Sequence, residues 1–328
     1  MFACQGTEMN TYQKQNILLE TGTNEMEIIE FYLGTQPFGI NVHKLKEIIP
    51  FDQEAVTVVP GSGKGMLGTL LLRGSTIPLI DLKSHVAQKE ADLDGDVRRV
   101  VLVCEFNSRI NGFKVDGVNQ IHRVSWEDVQ PMASFIDQYR PRFTGSVNIA
   151  GREILIVDLE HIVAEFDPEA CLDYEADLHR EEMEEATPHS RERMKLMMAE
   201  DSSLIRAGIE KVLRGANYND LRVFVDGQDC YDNIMEIRQR VVDGEQLGDL
   251  FNLLITDIEM PKMDGLTLCK KIKDDPVLKD VKVILFSSLI NDQMAAKCDL
   301  VGADGYATKP QIPYLVEMMD KHLGIAKM

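Results

Sequence analysis

Apolar positions along the chain follow two rhythms. Between residues 25 and 167 they form short runs, at 28–33, 39–42, 66–73, 76–80, 100–106, 112–115, 146–149 and 154–157, divided by Gly, Pro and Asn. Runs of that length with that punctuation predict an all-β unit with few short helices. From residue 191 onward the pattern changes. Strand-like runs at 194–200, 221–225, 251–257, 281–287 and 305–307 alternate with helical periodicity at 203–213, 229–242, 266–273, 292–301 and 312–323. Five βα units with short connections predict a doubly wound parallel sheet, with functional groups gathered at the carboxyl ends of its strands.

Between the two rhythms, residues 169–190 carry eight acidic residues against one arginine, flanked by Asp167-Pro168 and Thr187-Pro188. That density leaves too little apolar material for a core, so the segment reads as a solvated acidic linker. The expected organisation is a tail over 1–24, a β domain over 25–168, the linker over 169–190 and an α/β domain over 191–328. A length of 328 residues leaves room for both cores. Apolar content of 44% and charged content of 27% suit a soluble protein, and no run approaches the ~18 apolar residues of a membrane span. The first residues lack a basic region followed by an apolar stretch, so a cytoplasmic location and no membrane insertion are expected. Six cysteines without Cys-x-x-Cys spacing suit packed, reduced thiols. A net charge of −19 argues against nucleic acid as a ligand and leaves proteins as the expected partners.

The β half contains an internal repeat. Residues 68–86, GTLLLRGSTIPLIDLKSHV, align without a gap on residues 145–163, GSVNIAGREILIVDLEHIV, and residues 38–48 align on 111–121. Two copies of one small β unit predict two barrels side by side. Positions that differ between the copies are not demanded by the shared fold. Arg73 falls opposite Ala150, so it is either a solvated turn residue or an anchor for a partner. Asp81 and Asp158 recur before a short helix and read as N-caps. His43, His85, His122 and His161 lack metal spacing and read as surface residues. Through the LRGSTIPLIDL core, GFKVDGVNQI and ILIVDLEHI, residues 25–166 resemble the CheW-type coupling domain of bacterial chemotaxis. The resemblance implies a pair of five-stranded SH3-like barrels that bridges chemoreceptor tips to the histidine kinase CheA without chemistry of its own. It also implies that Arg73 belongs to the coupling surface.

In the α/β half the strand ends read, in order, Glu200-Asp201, Asp257, Ser287-Ser288 and Lys309-Pro310. Three carboxylates at one sheet edge repel one another unless a cation sits among them, and an all-oxygen set suits Mg2+. A lysine opposite would neutralise phosphoryl oxygens and a serine hydroxyl would donate to one, so the Asp257 carboxylate could attack phosphorus and form an aspartyl phosphate. Residues 191–324 resemble the receiver domain of two-component response regulators, which implies a flavodoxin-like strand order 2-1-3-4-5. By that resemblance Asp257 is the phosphoacceptor, Asp201 a direct metal ligand and Glu200 an acidic partner acting on the metal. The backbone carbonyl of Glu259 completes the Mg2+ set, Ser287 is the switch hydroxyl, Lys309 binds phosphate, and a cis bond precedes Pro310. Tyr306 is either the aromatic switch or a half-buried sheet-edge ring. The pair Glu200-Asp201 departs from the commoner Asp-Asp, and Ser287 from the commoner threonine. A coupling domain joined to a receiver implies a phosphorylation-regulated adaptor that accepts a phosphoryl group from CheA. The competing readings are a phosphate sink localised to receptor arrays and a Mg2+-dependent phosphohydrolase.

Overall fold

The computed structural model describes residues 24–86, 98–107, 109–132, 142–166, 188–288, 290, 292–309 and 312–325. Nearly all of the acidic linker, the tail up to residue 23 and Pro310 with its expected cis bond lie outside the described residues.

The β half folds as two sheets. Strands β1 (Glu25–Leu33), β2 (Gln36–Asn41), β9 (Gly117–Ser125), β10 (Phe143–Ile149) and β11 (Arg152–Val157) join in the order β10-β11-β2-β1-β9. Strands β3 (Leu45–Pro50), β4 (Val56–Thr57), β5 (Met66–Leu72), β6 (Ser75–Asp81), β7 (Val100–Phe106) and β8 (Arg109–Val115) join in the order β3-β7-β8-β6-β5-β4. The second sheet thus has six strands, where five were expected. The added one is the two-residue β4, which lies so close to β5 that a Cβ on Gly68 would stand 2.2 Å from the Thr57 carbonyl oxygen. Only glycine permits that approach.

Each sheet is assembled from both sequence repeats, because the first gives β1 and β2 to one sheet and β3 to β6 to the other, while the second crosses in the opposite sense. One sheet encloses Met26, Ile28, Trp126, Val147 and Ile154. The other encloses Leu70, Ile77, Leu79, Val101 and Val103. A third cluster seals the two together, with Phe31, Phe38 and Ile40 facing Leu102 and Phe113 beneath the helices α1 (Leu82–Val86) and α2 (Leu159–Phe166). Strand alternation divides the work: Met26 and Ile28 point to one core, Ile29, Phe31 and Leu33 to the other. Asp81 and Asp158 cap α1 and α2 as expected, accepting from the Lys83 amide at 3.1 Å and the His161 amide at 2.9 Å. The histidines depart from expectation. His43 is exposed, but His85 packs on Phe166 and meets Glu165 at 3.1 Å, His122 meets buried Glu30 at 2.7 Å, and His161 reaches Glu165 at 3.6 Å.

In the α/β half β12 (Lys195–Ala199), β13 (Asp220–Phe224), β14 (Leu253–Thr256), β15 (Lys282–Ser287) and β16 (Gly305–Thr308) form a parallel sheet in the order β13-β12-β14-β15-β16, which is 2-1-3-4-5. Met197, Leu254 and Leu285 face α4 (Gly227–Val242) and α5 (Gly265–Asp274). Leu196, Ile255 and Phe286 face α3 (Ser203–Gly215) and α6 (Ile312–Leu323) on the other side. The middle strand starts at Leu253, two residues later than its apolar run. Asn252 ends the preceding loop by accepting from the Lys195 amide at 2.7 Å and donating to the Gly248 carbonyl at 2.8 Å, while Phe251 plugs the core. Arg191 ties the start of this half to its last helix through both oxygens of Asp320, to which the fully buried Tyr218 hydroxyl also donates at 2.7 Å. Cys104, Cys230, Cys269 and Cys298 are buried free thiols. Among the described residues, no helix is long and apolar enough to cross a membrane.

Candidate functional site

The end of β14 sets the site. The Asp257 amide donates to the Ala199 carbonyl at 2.9 Å, extending the pairing with β12 by one residue and aiming the carboxylate at the strand ends. Its Oδ1 accepts from the Ile258 amide at 2.7 Å and its Oδ2 from Lys309 Nζ at 2.9 Å. Helix α5 begins directly behind, with Asp264 accepting from the Thr267 amide at 2.7 Å as N-cap. A Cβ on Gly265 would fall 2.0 Å from the Asp257 carbonyl oxygen, so glycine is what lets the helix start this close to the strand end.

The partners arrive from the neighbouring strands. Glu200 follows β12 and accepts from Lys309 Nζ at 3.1 Å and from the Ser202 amide at 3.2 Å. Arg206 pins that turn by donating to the Glu200 and Asp201 carbonyls at 2.8 and 3.0 Å. Carboxylate oxygens of Glu200, Asp201 and Asp257 lie within 4.8 Å of one another. Ser287, at the end of β15, is fully buried and its carbonyl accepts from the Lys309 amide at 3.2 Å. The structure therefore gathers Glu200, Asp201, Asp257 and Lys309 at one edge, with Ser287 buried at the adjoining strand end. Tyr306 is a half-buried ring on β16 against the core. Arg73 stands apart at the tip of the β5–β6 hairpin, its side chain 77% exposed and paired with Glu47 at 2.8 Å.

Crowding shapes the electrostatics. Burial, then Asp257 and Asp201, push the Glu200 carboxyl well above its usual range despite Lys309, and burial with Asp257 does the same for Asp201. Burial raises Asp257 to about 6, with Lys309 restraining the rise. Lys309 is held charged because Asp257 and Glu200 outweigh its desolvation. One ammonium shared by this set leaves excess negative charge, and three clustered carboxylates with only oxygen donors fit a hard divalent cation.

The β half covers this edge. Lys44, just after β2, reaches Glu160 on α2 at 2.9 Å and Glu259 just beyond the end of β14 at 3.0 Å. Ser288 donates to the same Glu160 oxygen at 2.6 Å, and the Asn107 amide donates to the Ser288 carbonyl at 3.1 Å. Asn41 donates to Glu259. Asn24 donates to the Lys262 carbonyl and accepts from the Asp264 amide, both at 3.0 Å, so this last residue of the expected tail is part of the contact. A cleft of about 350 Å³ remains between the halves, with Asp201 and Arg206 on one wall and Asp158 and His161 on the other. Lys44 and Glu160 escaped the sequence reading. The repeat nonetheless held a signal: Glu160 falls opposite Lys83 and Lys44 opposite Gly117, charge differences of the kind that singled out Arg73.

Comparison with known proteins agrees with both halves. The CheW-like domain family profile matches residues 27–167, and the response regulator receiver domain profile matches residues 196–320. The chain is 28% identical over 312 residues to chemotaxis protein CheV3 of Helicobacter pylori, covering 92% of this chain and 95% of that protein. It is 26% identical over 321 residues to CheV2 of the same organism, with the same coverage of 92% and 95%. It is 32% identical over 146 residues to chemotaxis protein CheW of Rhizobium meliloti, covering 44% of this chain and 92% of that one.

Proposed function

We propose, for a chain that belongs to the CheV family, in which a CheW-like domain is joined to a response-regulator receiver domain, the role of a chemotaxis adaptor regulated by phosphorylation of Asp257. Its CheW-like domain docks on chemoreceptor tips and on the histidine kinase CheA, and its receiver takes a phosphoryl group from the kinase. The observation that carries this reading is the meeting of Glu200, Asp201, Asp257, Ser287 and Lys309 at one sheet edge of a chain whose other half is a coupling domain.

In the reaction, an Asp257 carboxylate oxygen forms a bond to phosphorus as the bond from phosphorus to the kinase histidine nitrogen breaks. The electron pair returns to the imidazole, which takes up a proton from water. Lys309 leaves its bridge between Asp257 and Glu200 to neutralise a non-bridging oxygen, and the Ser287 hydroxyl donates to another. Glu200, Asp201, Asp257 and the backbone carbonyl of Glu259 would hold Mg2+, which when bound shields the phosphoryl charge from the surrounding carboxylates. Movement of Ser287 and Lys309 then biases the face that carries Tyr306, a population shift between two arrangements.

Transfer from labelled CheA to the full chain tests this. Wild type should take up label in a Mg2+-dependent manner, and Asp257→Ala should take up none. Equal labelling of the two would sink the reading, and repeated turnover of a soluble phosphomonoester would favour a phosphohydrolase instead.

A further inference from the structure

We infer that the first partner of the receiver's acceptor face is the chain's own coupling domain: Lys44 and Glu160 dock on Glu259 and Ser288 while Asp257 is unmodified, and release when it carries a phosphoryl group. The inference rests on Asp257 being the phosphoacceptor.

The contact has the form of a buried clamp. Lys44, Glu160 and Ser288 are all nearly inaccessible, and Glu160 is shared between the Lys44 ammonium at 2.9 Å and the Ser288 hydroxyl at 2.6 Å. Burial alone would raise the Glu160 carboxyl, yet Lys44, and then Lys309 across the contact, hold it down to about 2. The receiver lysine that would serve the phosphoryl group therefore also attracts the coupling domain. Two consequences of phosphorylation act on this clamp. First, the phosphoryl group takes Lys309 and, by putting roughly −1.5 to −2 of charge where a carboxylate of about −1 stood, adds up to about one unit of negative charge. From the coupling side it faces Glu160, Asp158 and His161, with Lys44 already engaged by Glu160 and Glu259. From the receiver side it faces Glu200, Asp201 and Glu259. Mg2+ would offset part of that charge among Glu200, Asp201 and Asp257, but Glu160 loses the attraction of Lys309 and meets like charge across a water-poor contact, so the contact loosens. Second, Ser287 and Ser288 are consecutive. Drawing Ser287 toward a phosphoryl oxygen pulls Ser288 from Glu160 and from the Asn107 amide, which holds its carbonyl at 3.1 Å.

The clamp also sorts donors. With the coupling domain in place, a cleft of about 350 Å³ among the described residues opens beside Asp201 of the acidic cluster. That space admits a small phosphodonor and not a folded one, so a kinase domain reaches Asp257 only in the open form.

The chain carries its own reporter. Trp126, its single tryptophan, packs into the coupling domain's core and also lines a small cleft with Glu259 and Leu266 of the receiver, while its carbonyl accepts from the Lys262 amide at 2.8 Å. The informative variant is the double charge swap Lys44→Glu with Glu160→Lys. It keeps an ion pair inside the coupling domain but sets a carboxylate at position 44 against Glu259 and an ammonium at position 160 against Lys309. In the full-length wild type, beryllofluoride with Mg2+ should move tryptophan emission to longer wavelength, and Asp257→Ala should show no change. The swapped variant should emit at the longer wavelength without any addition. It should also accept label from CheA about tenfold faster than wild type while its labelling by phosphoramidate changes less than about twofold. If wild type is labelled normally but its emission stays put under beryllofluoride, the clamp is overturned and Asp257 stands as acceptor. If wild type takes no label, the acceptor reading itself fails. Should the swapped variant lose its folded circular dichroism, the wild-type and Asp257→Ala emission measurements still decide the question.

Discussion

Glu30 has no exposed surface, although the other buried residues of its strand are all apolar. Burial would raise its carboxyl, but bonds from Arg152 at 2.8 Å, His122 at 2.7 Å and Tyr32 at 2.9 Å, with Asn119, bring it down to about 2. A carboxyl whose pKa is lower in the folded state than its ordinary value of 4.5 adds stability above that value and loses it as pH falls toward 2. Glu30→Gln should therefore cost about 1–2 kcal/mol at pH 7, a figure reduced for screening at the partly open Arg152 side. Urea unfolding at a series of pH values should show the deficit shrinking below pH 4.5 and vanishing near 2; a deficit independent of pH would contradict the ion-pair account. No signal in the sequence marked Glu30, since one acid in an apolar run reads as a solvent-facing position. Asp257 was legible because its neighbours are apolar and a proline soon follows, whereas Lys44 and Glu160 lie far apart in the chain and acquire meaning only across the contact.

At the scale of single elements, the β5–β6 hairpin is where we propose a partner contact placed on a turn. Arg73 and Gly74 have φ of 49° and 89°, and Ala150 and Gly151 in the sister hairpin have 52° and 80°. Both turns have the two left-handed residues that a two-residue hairpin demands. The backbone is therefore the same in both copies and the side chain at the first position is left over for another use. Leu71, two residues before Arg73, is 75% exposed, an apolar neighbour for a charged anchor. Arg73→Glu should abolish pull-down of the CheA regulatory domain or the receptor tip. Stability should change by less than about 1 kcal/mol, because the pair with Glu47 is solvent-exposed. Binding at wild-type strength to both partners would refute the assignment. Elements such as this hairpin could be read from the repeat, and the five βα units from their alternation. The two-residue β4 could not, since its pairing depends on the absent side chain of Gly68.

For the whole molecule, the coupling domain and receiver behave as one unit only if Asp257 is wired to kinase control. In reconstituted receptor arrays, Asp257→Ala should change how attractant sets CheA activity; if control is unaltered and competing regulators merely lose phosphate more slowly, the receiver is a phosphate sink held at the array. What the sequence determined alone was whatever repeats locally: the alternation that makes strands, the period that makes helices, the duplicated β unit, and the carboxylates, serine and lysine at successive strand ends. Each follows from residues within a few positions of one another and from the fixed rule that parallel strands end at a common edge. Tertiary structure decided the exchange of strands between the repeats and the seating of Lys44, Glu160 and Asn24 against the edge that bears Asp257. The contacts at that edge join residues more than a hundred positions apart. They arise because burying charge requires a partner, and only the folded chain determines which partner is within reach.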